Sequence, residues 1–269
     1  MRTRLLTAFV LILLAICLVL LGGIPFLIAA LILLTAAEIE FCRIMAHRGF
    51  LPFTGFAVAL VWVLALDASW PQAGLVEPGV VVIMLASLVW QLCHRQGVPV
   101  ADWALTVTGG LYVGLCGGSM IRLRGLSPDG LWWTTLAVSA NILADCIAFL
   151  IGRKWGRHQM APKLSPGKTW EGYLAGVIAG GVGTAMIGAG VRAWVAPGAA
   201  VSGWHGLALG IVIPALVPLG DLAVSMIKRE AGVKDTGTLM PGHGGVLDRL
   251  DSMLWAGVLG YYYVQCFAT

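Results

Sequence analysis

The chain alternates long apolar runs with short polar or Gly/Pro-containing breaks, and neither a period of two nor a conventional amphipathic period governs the runs. A helix needs about 20 predominantly apolar residues to cross a bilayer core. The run from Leu5 to Ala37 is too long for one crossing and contains Gly22-Gly23-Ile24-Pro25, a turn signal that divides it. The pattern predicts spans near residues 5–21, 25–45, 53–66, 78–93, 101–120, 131–152, 171–195, 203–227 and 246–266. The third and fourth are short. The expected fold is an all-α polytopic transmembrane helical bundle of about nine spans. The opening Met1-Arg2-Thr3-Arg4 before an apolar run imitates a signal peptide, but no small-residue cleavage site followed by a soluble domain appears, so it reads as the first span.

Composition agrees with this pattern. Charged residues make up 11% of the chain, against roughly 25% in an average soluble domain, too few to cover a water-soluble surface or to keep a chain disordered. The 36 glycines suit closely packed membrane helices. In the seventh span Gly172, Gly176, Gly180, Thr184 and Gly188 recur every fourth residue, a small-residue ridge expected to admit a neighbouring helix. The six cysteines form no Cys-x-x-Cys pair, and all lie in apolar stretches, as small hydrophobes rather than metal ligands or disulfides. With the N-terminus in the cytoplasm, only Arg122, Arg124 and Arg192 of the 17 Lys and Arg residues fall outside, as the positive-inside rule requires. An odd span count then places the C-terminus outside.

Polar chemistry is concentrated in the second half. In the first, Glu38 and Glu40 lie near the end of the second span; they read as helix-end charge and interfacial snorkelling, with Arg43 as an alternative partner for Glu38. Asp145 and Asp221, by contrast, fall within the sixth and eighth spans. A carboxylate there costs about 2.5–3.5 kcal/mol on insertion scales, and is usually retained for a pathway, a partner or a site. Two cytoplasmic segments flank them. One runs from Gly152 to His158 and on through Ser165-Pro166-Gly167-Lys168-Thr169; the other runs from Ser225 through Lys228-Arg229, Lys234-Asp235 and Pro241-Gly242-His243-Gly244-Gly245 to Asp248-Arg249-Leu250-Asp251. Glycines that let backbone N–H groups approach an anion, together with basic residues and carboxylates, point to a polyphosphate held with a divalent metal. Asp221 and Asp248 flank one cytoplasmic loop and are expected to face one point near the inner membrane surface. Hard oxygen ligands suit Mg²⁺, which takes one or two carboxylates plus substrate phosphates. This much does not separate a nucleotidyltransferase from a phosphatase. Gly167-Lys168-Thr169 imitates a Walker A loop, but position 162 is Pro where Gly is needed, and a charged loop rather than a β-strand is expected before it. His243 has no spacing that marks a zinc ligand or a triad base.

The run Ser225, Lys228-Arg229, Lys234-Asp235, Pro241-x-His243-Gly244-Gly245, Asp248-Arg249-x-Asp251 resembles the signature of phosphatidate cytidylyltransferases (CDP-diacylglycerol synthases). Met240 stands where that family usually has Leu, Ile or Phe. Ser165, Pro166, Lys168, Thr169 and Gly172 look like the family's upstream loop, and Asp145 and Gly220-Asp221 match further positions. The match covers roughly residues 141–255; the N-terminal half agrees only in being hydrophobic. The resemblance implies a membrane enzyme that joins CTP to phosphatidic acid, giving CDP-diacylglycerol and pyrophosphate, with Mg²⁺ and room for a monovalent cation such as K⁺. It implies catalytic roles for Asp221, Asp248, Lys228 and Arg229, with Asp221 and Asp248 as metal ligands. It also implies substrate binding by Asp145, Ser165, Lys168, Thr169, Ser225, Lys234, His243, Arg249 and Asp251. Residues 1–130 would then be N-terminal transmembrane helices, and 131–269 the catalytic region, in the inner membrane with the active site facing the cytoplasm. The expected partners are CTP, phosphatidic acid and bilayer lipid, with a homodimer allowed for and no nucleic acid. Three alternatives stay open: a related CTP-dependent polyprenyl-lipid nucleotidyltransferase, a lipid kinase, and, from a different class, a cation-coupled transporter using Asp145 and Asp221.

Overall fold

The computed structural model describes residues 13–94, 97–237 and 244–268. Within them the regular structure is helical, apart from one short hairpin. Residues 13–21 form α1; then follow α2 (Gly23–Ala46), α3 (Thr54–Ser69), α4 (Val76–His94), α5 (Pro99–Gly125) and α6 (Gly130–Trp155). The hairpin of β1 (Gln159–Ala161) and β2 (Ser165–Thr169) leads into α7 (Trp170–Gly190), which runs into a π-turn at Val191–Val195; α8 (Gly203–Glu230) and α9 (Leu247–Phe267) complete the chain. Helix starts and stops fall where the apolar runs break. Gly22 and Gly23, both with positive φ, separate α1 from α2 with almost no linker.

Six of these helices, α2 and α4 through α8, are long and apolar enough to cross a bilayer. The α3 helix has 16 residues, about 24 Å at 1.5 Å per residue, which is short of a hydrocarbon core of about 30 Å. The protein is a polytopic helical membrane protein.

Two compact units divide the chain: residues 1–122 with 227–250, and residues 123–226 with 251–269. In the first, α2 packs on α3 and α3 on α4. The glycines of α5 let it nest against this pair. A Cβ at Gly109 would stand 2.6 Å from Phe41 on α2, and one at Gly110 would stand 2.7 Å from the Ala57 carbonyl on α3. Asp67 is buried against Arg122 at 2.8 Å. Asp102 accepts the backbone N–H groups of Leu51 and Val98, at 2.7 and 3.0 Å.

In the second unit α7 supplies the packing core, and the predicted ridge is its buried face: Gly172, Gly176, Gly180, Thr184 and Gly188 are all buried. Its lower half lies on α6, where Cβ atoms at Gly172 and Gly176 would stand 2.6 and 2.9 Å from the Ala148 and Ala144 carbonyl oxygens. At Gly180 the ridge meets α8, with Gly210 and Pro214 each 2.7 Å from a would-be Cβ. The opposite face of α7 carries Leu174, Ile178, Val182 and Met186, all exposed. Small residues inward and large apolar residues outward is the inverse of a soluble helix, and it suits a helix whose outer face meets lipid.

Candidate functional site

The catalytic residues expected from sequence lie in both units. In the second unit they gather around the hairpin. The segment between α6 and α7 is not the plain charged loop expected: β1 and β2 pair antiparallel, Gln159 opposite Thr169. The Gly167-Lys168-Thr169 sequence lies in strand β2 itself rather than in a loop wrapped around a helix N-terminus, so the Walker A reading fails on geometry as well as on spacing. Thr169 is the N-cap of α7, its hydroxyl accepting the Gly172 N–H at 3.2 Å. Glu171, in the first turn, takes the backbone N–H groups of Arg157 and His158 and meets the His158 Nδ1 at 2.6 Å. These contacts tie the end of α6 to the start of α7 and hold β2 in place.

From β2, Lys168 forms an ion pair with Asp221 on α8. Asp145 on α6 lies close enough for its carboxylate to feel both the Lys168 ammonium and the Asp221 carboxylate. Asp145, Lys168 and Thr169 line a cavity of about 230 Å³ whose other walls include Asn141, Tyr173, Pro214 and Pro218. Polar groups therefore stand at one part of a pocket that is otherwise apolar. Gly220, next to Asp221, is required by close packing: a side chain there would collide with the Trp255 indole of α9. Ser165 begins β2 and is half-buried. Ser225 is buried on α8, and Asp251, also buried, accepts the Ser252 N–H at 2.6 Å.

In the first unit the centre is Asp248, in the first turn of α9. Its Oδ1 meets the Lys228 ammonium at 2.6 Å, and both side chains are largely buried. Its Oδ2 accepts the backbone N–H of Thr236 at 2.7 Å and that of Gly245 at 3.1 Å, and it lies 3.0 Å from the Thr236 hydroxyl. Arg229 is exposed, with an Nη1 contact to the Val233 carbonyl at 3.4 Å; Lys234 and Arg249 are exposed as well. His243 lies outside the described residues.

Glu38 and Glu40 depart from expectation. Neither snorkels and neither pairs with Arg43: both are fully buried. The Cys42 thiol donates to Glu38 at 3.7 Å. Glu40 accepts the N–H groups of Val246 and Leu247, at 3.0 and 2.9 Å, and the Thr236 hydroxyl lies 2.8 Å from its Oε2. The one sequence signal for Glu40 was a carboxylate inside an apolar run; its partners, about two hundred residues later, carried none.

Among the described residues no three His, Cys, Asp or Glu side chains gather into a metal-binding group. What the carboxylates do hold is cationic: Lys168 on Asp221 and Lys228 on Asp248.

Comparison with known proteins adds an independent line. Residues 2–267 match the model of the Cytidylyltransferase family. A phosphatidate cytidylyltransferase of Brucella abortus is 33% identical over 273 residues, covering 100% of this chain and 94% of the relative. One from Synechocystis is 31% identical over 298 residues, covering 97% of this chain and 95% of the relative. One from Mycobacterium tuberculosis is 37% identical over 133 residues, 49% of this chain and 38% of the relative. The similarity thus extends through the N-terminal helices as well as the signature run, and the chain belongs to the Cytidylyltransferase family.

Proposed function

We propose that this membrane enzyme transfers the cytidylyl group of CTP to phosphatidic acid, giving CDP-diacylglycerol and pyrophosphate for phospholipid biosynthesis. Full-length similarity to phosphatidate cytidylyltransferases supports the substrates. The observation that carries the reading is the set of lysine–carboxylate pairs, Lys168 with Asp221 and Lys228 with Asp248. Such pairs store phosphate-binding cations against carboxylates until an anionic substrate arrives.

Phosphatidate is a phosphate monoester whose second pKa, by analogy with phosphorylated side chains, is about 6, so it is mostly a dianion at neutral pH. One of its oxygens attacks the α-phosphorus of CTP. A P–O bond forms there, the α–β bridging P–O bond breaks, and pyrophosphate leaves with that electron pair. No proton need be removed from the nucleophile, so no general base is required. The chain's task is to bring two anions together and to hold charge on the α-phosphate and the leaving group. Lys168 and Lys228 do this by exchanging their carboxylate partners for phosphate oxygens, with Arg229 and Lys234 as exposed contacts for the triphosphate. Asp221 and Asp248 are the Mg²⁺ ligands of this reading. Their oxygens are the hard donors that Mg²⁺ takes, and they would be freed for it as Lys168 and Lys228 turn to phosphate. When bound, Mg²⁺ supplies Lewis-acid stabilisation of phosphoryl oxygens, and K⁺ is a candidate monovalent companion. Asp145, Ser165, Thr169, Ser225, His243, Arg249 and Asp251 are assigned to substrate binding.

The site is assigned to the cytoplasmic face of the inner membrane, where the lipid's tails stay in the bilayer and its headgroup meets soluble CTP; a homodimer is compatible with this arrangement. Pyrophosphate release by purified protein tests the substrate pair. It is expected from CTP with phosphatidic acid and absent with CTP alone. Release that responds to a polyprenyl phosphate and not to phosphatidic acid would overturn the substrate assignment.

A further inference from the structure

We propose that Glu40, on the second helix and far in sequence from the signature run, is a positioning residue for cytidylyl transfer: it holds the start of α9, and through Thr236 the contacts of Asp248 with Lys228. Glu40 is 1% exposed, and both its oxygens are used. Oε1 accepts the Val246 N–H, and Oε2 accepts the Leu247 N–H. These donors lie at the start of α9, where backbone N–H groups have no partner within the helix and a negative charge is favoured. The Thr236 hydroxyl sits 2.8 Å from Glu40 Oε2 and 3.0 Å from Asp248 Oδ2. It has a single proton to give and both carboxylates only accept, so it hydrogen-bonds to one of the two at a time while holding close contact with the other. Glu40, Thr236, Asp248 and Lys228 therefore form one continuous chain of polar contacts, all inside the first unit.

The glycines around it point the same way. A Cβ on Gly245 would collide with the Thr236 hydroxyl and with Glu40, and one on Gly237 would stand 2.5 Å from Glu40 Oε1. The second glycine of the Gly244-Gly245 pair is thus fixed by the carboxylate packed against it. The inference rests on the proposed roles of Asp248 and Lys228 in transfer.

Glu40→Gln is the test, because the side chain keeps its shape while its amide nitrogen must face at least one N–H that now has no acceptor. Hydrogen exchange by mass spectrometry and steady-state kinetics are read on the same purified protein. Expected are faster exchange confined to residues 236–237 and 244–250 and at least a tenfold lower kcat. KM for CTP should change less than kcat, and the thermal midpoint should fall by only a few degrees, as one unpaired buried N–H requires. Glu38→Gln, which removes an equally buried carboxylate from the same helix, should show neither effect. Thr236→Val, which deletes only the bridging hydroxyl, should also lower kcat. Parental kcat and exchange in Glu40→Gln would overturn the inference. Exchange raised throughout the protein, or failure to fold, would make Glu40 a general structural residue and overturn it equally, as would parental turnover in Thr236→Val. The underlying reading fails separately: an Asp248→Asn variant with full turnover would remove it, whereas an inactive Asp248→Asn beside a fully active Glu40→Gln would sink only the role of Glu40.

Discussion

Asp221 and Asp248 each face a lysine, but their surroundings differ, and so do the expected consequences of removing their charge. Asp221 is a quarter exposed, and its lysine partner on β2 is similarly open. Asp221→Asn should lower turnover by a hundredfold or more with little change in thermal stability, since a partly solvated Lys168 is not stranded. Asp248 is nearly buried with Lys228 and also holds two backbone N–H groups. Removing one partner of a buried pair typically costs about 3–5 kcal/mol. Asp248→Asn should therefore lose both activity and several degrees of thermal midpoint. Turnover and thermal unfolding measured on the same samples separate the two cases; an Asp248→Asn protein as stable as the parent would contradict the placement of Lys228. Sequence exposed these residues because charge in an apolar chain is conspicuous and because the signature run is long. It exposed neither the pairings nor the role of Glu40, which reads from sequence as helix-end charge. Ion pairs such as Lys168 with Asp221 join residues on separate elements, and a buried glutamate that serves distant amides has the same local sequence as one at a membrane interface.

Elements were more legible than pairs. Apolar run length and Gly/Pro punctuation located the helices because a bilayer imposes both length and internal hydrogen bonding. The glycine ridge located the buried face of α7 because only small residues let helix backbones approach so closely. A leucine at Gly180 has no room beside Gly210 and Pro214. Gly180→Leu should give protein that reaches the membrane but is markedly less stable in detergent and nearly inactive; a variant as stable and active as the parent would contradict the observed packing. Thr169 caps α7 from the end of the strand that carries Lys168, and Thr169→Ala should cost about 1 kcal/mol of stability. The hairpin itself was missed. Its strands are three and five residues long, with Pro and Gly inside the second, which gives no strand periodicity to read. The hairpin takes its definition from Glu171 and the ends of α6 and α7.

At the scale of the whole molecule, the expectation that the N-terminus faces the cytoplasm and the C-terminus the opposite side rests on the distribution of basic residues. Among the described residues six helices meet the length and hydropathy of a membrane span; the nine-span topology also counts the run that includes residues 13–21, the short α3, and α9 with its charged first turn. Reporter fusions at the C-terminus check the topology; activity of a cytoplasm-only reporter there would contradict the odd span count. The central claim, that this fold transfers a cytidylyl group to a lipid phosphate, depends on which phosphorus of CTP enters the lipid. Purified protein in phosphatidic acid vesicles with Mg²⁺ should move label from the α-phosphorus of CTP into the lipid, and should leave label from the γ-phosphorus in soluble pyrophosphate. Gamma label in the lipid would make the protein a kinase, and no lipid label from either position would contradict the account.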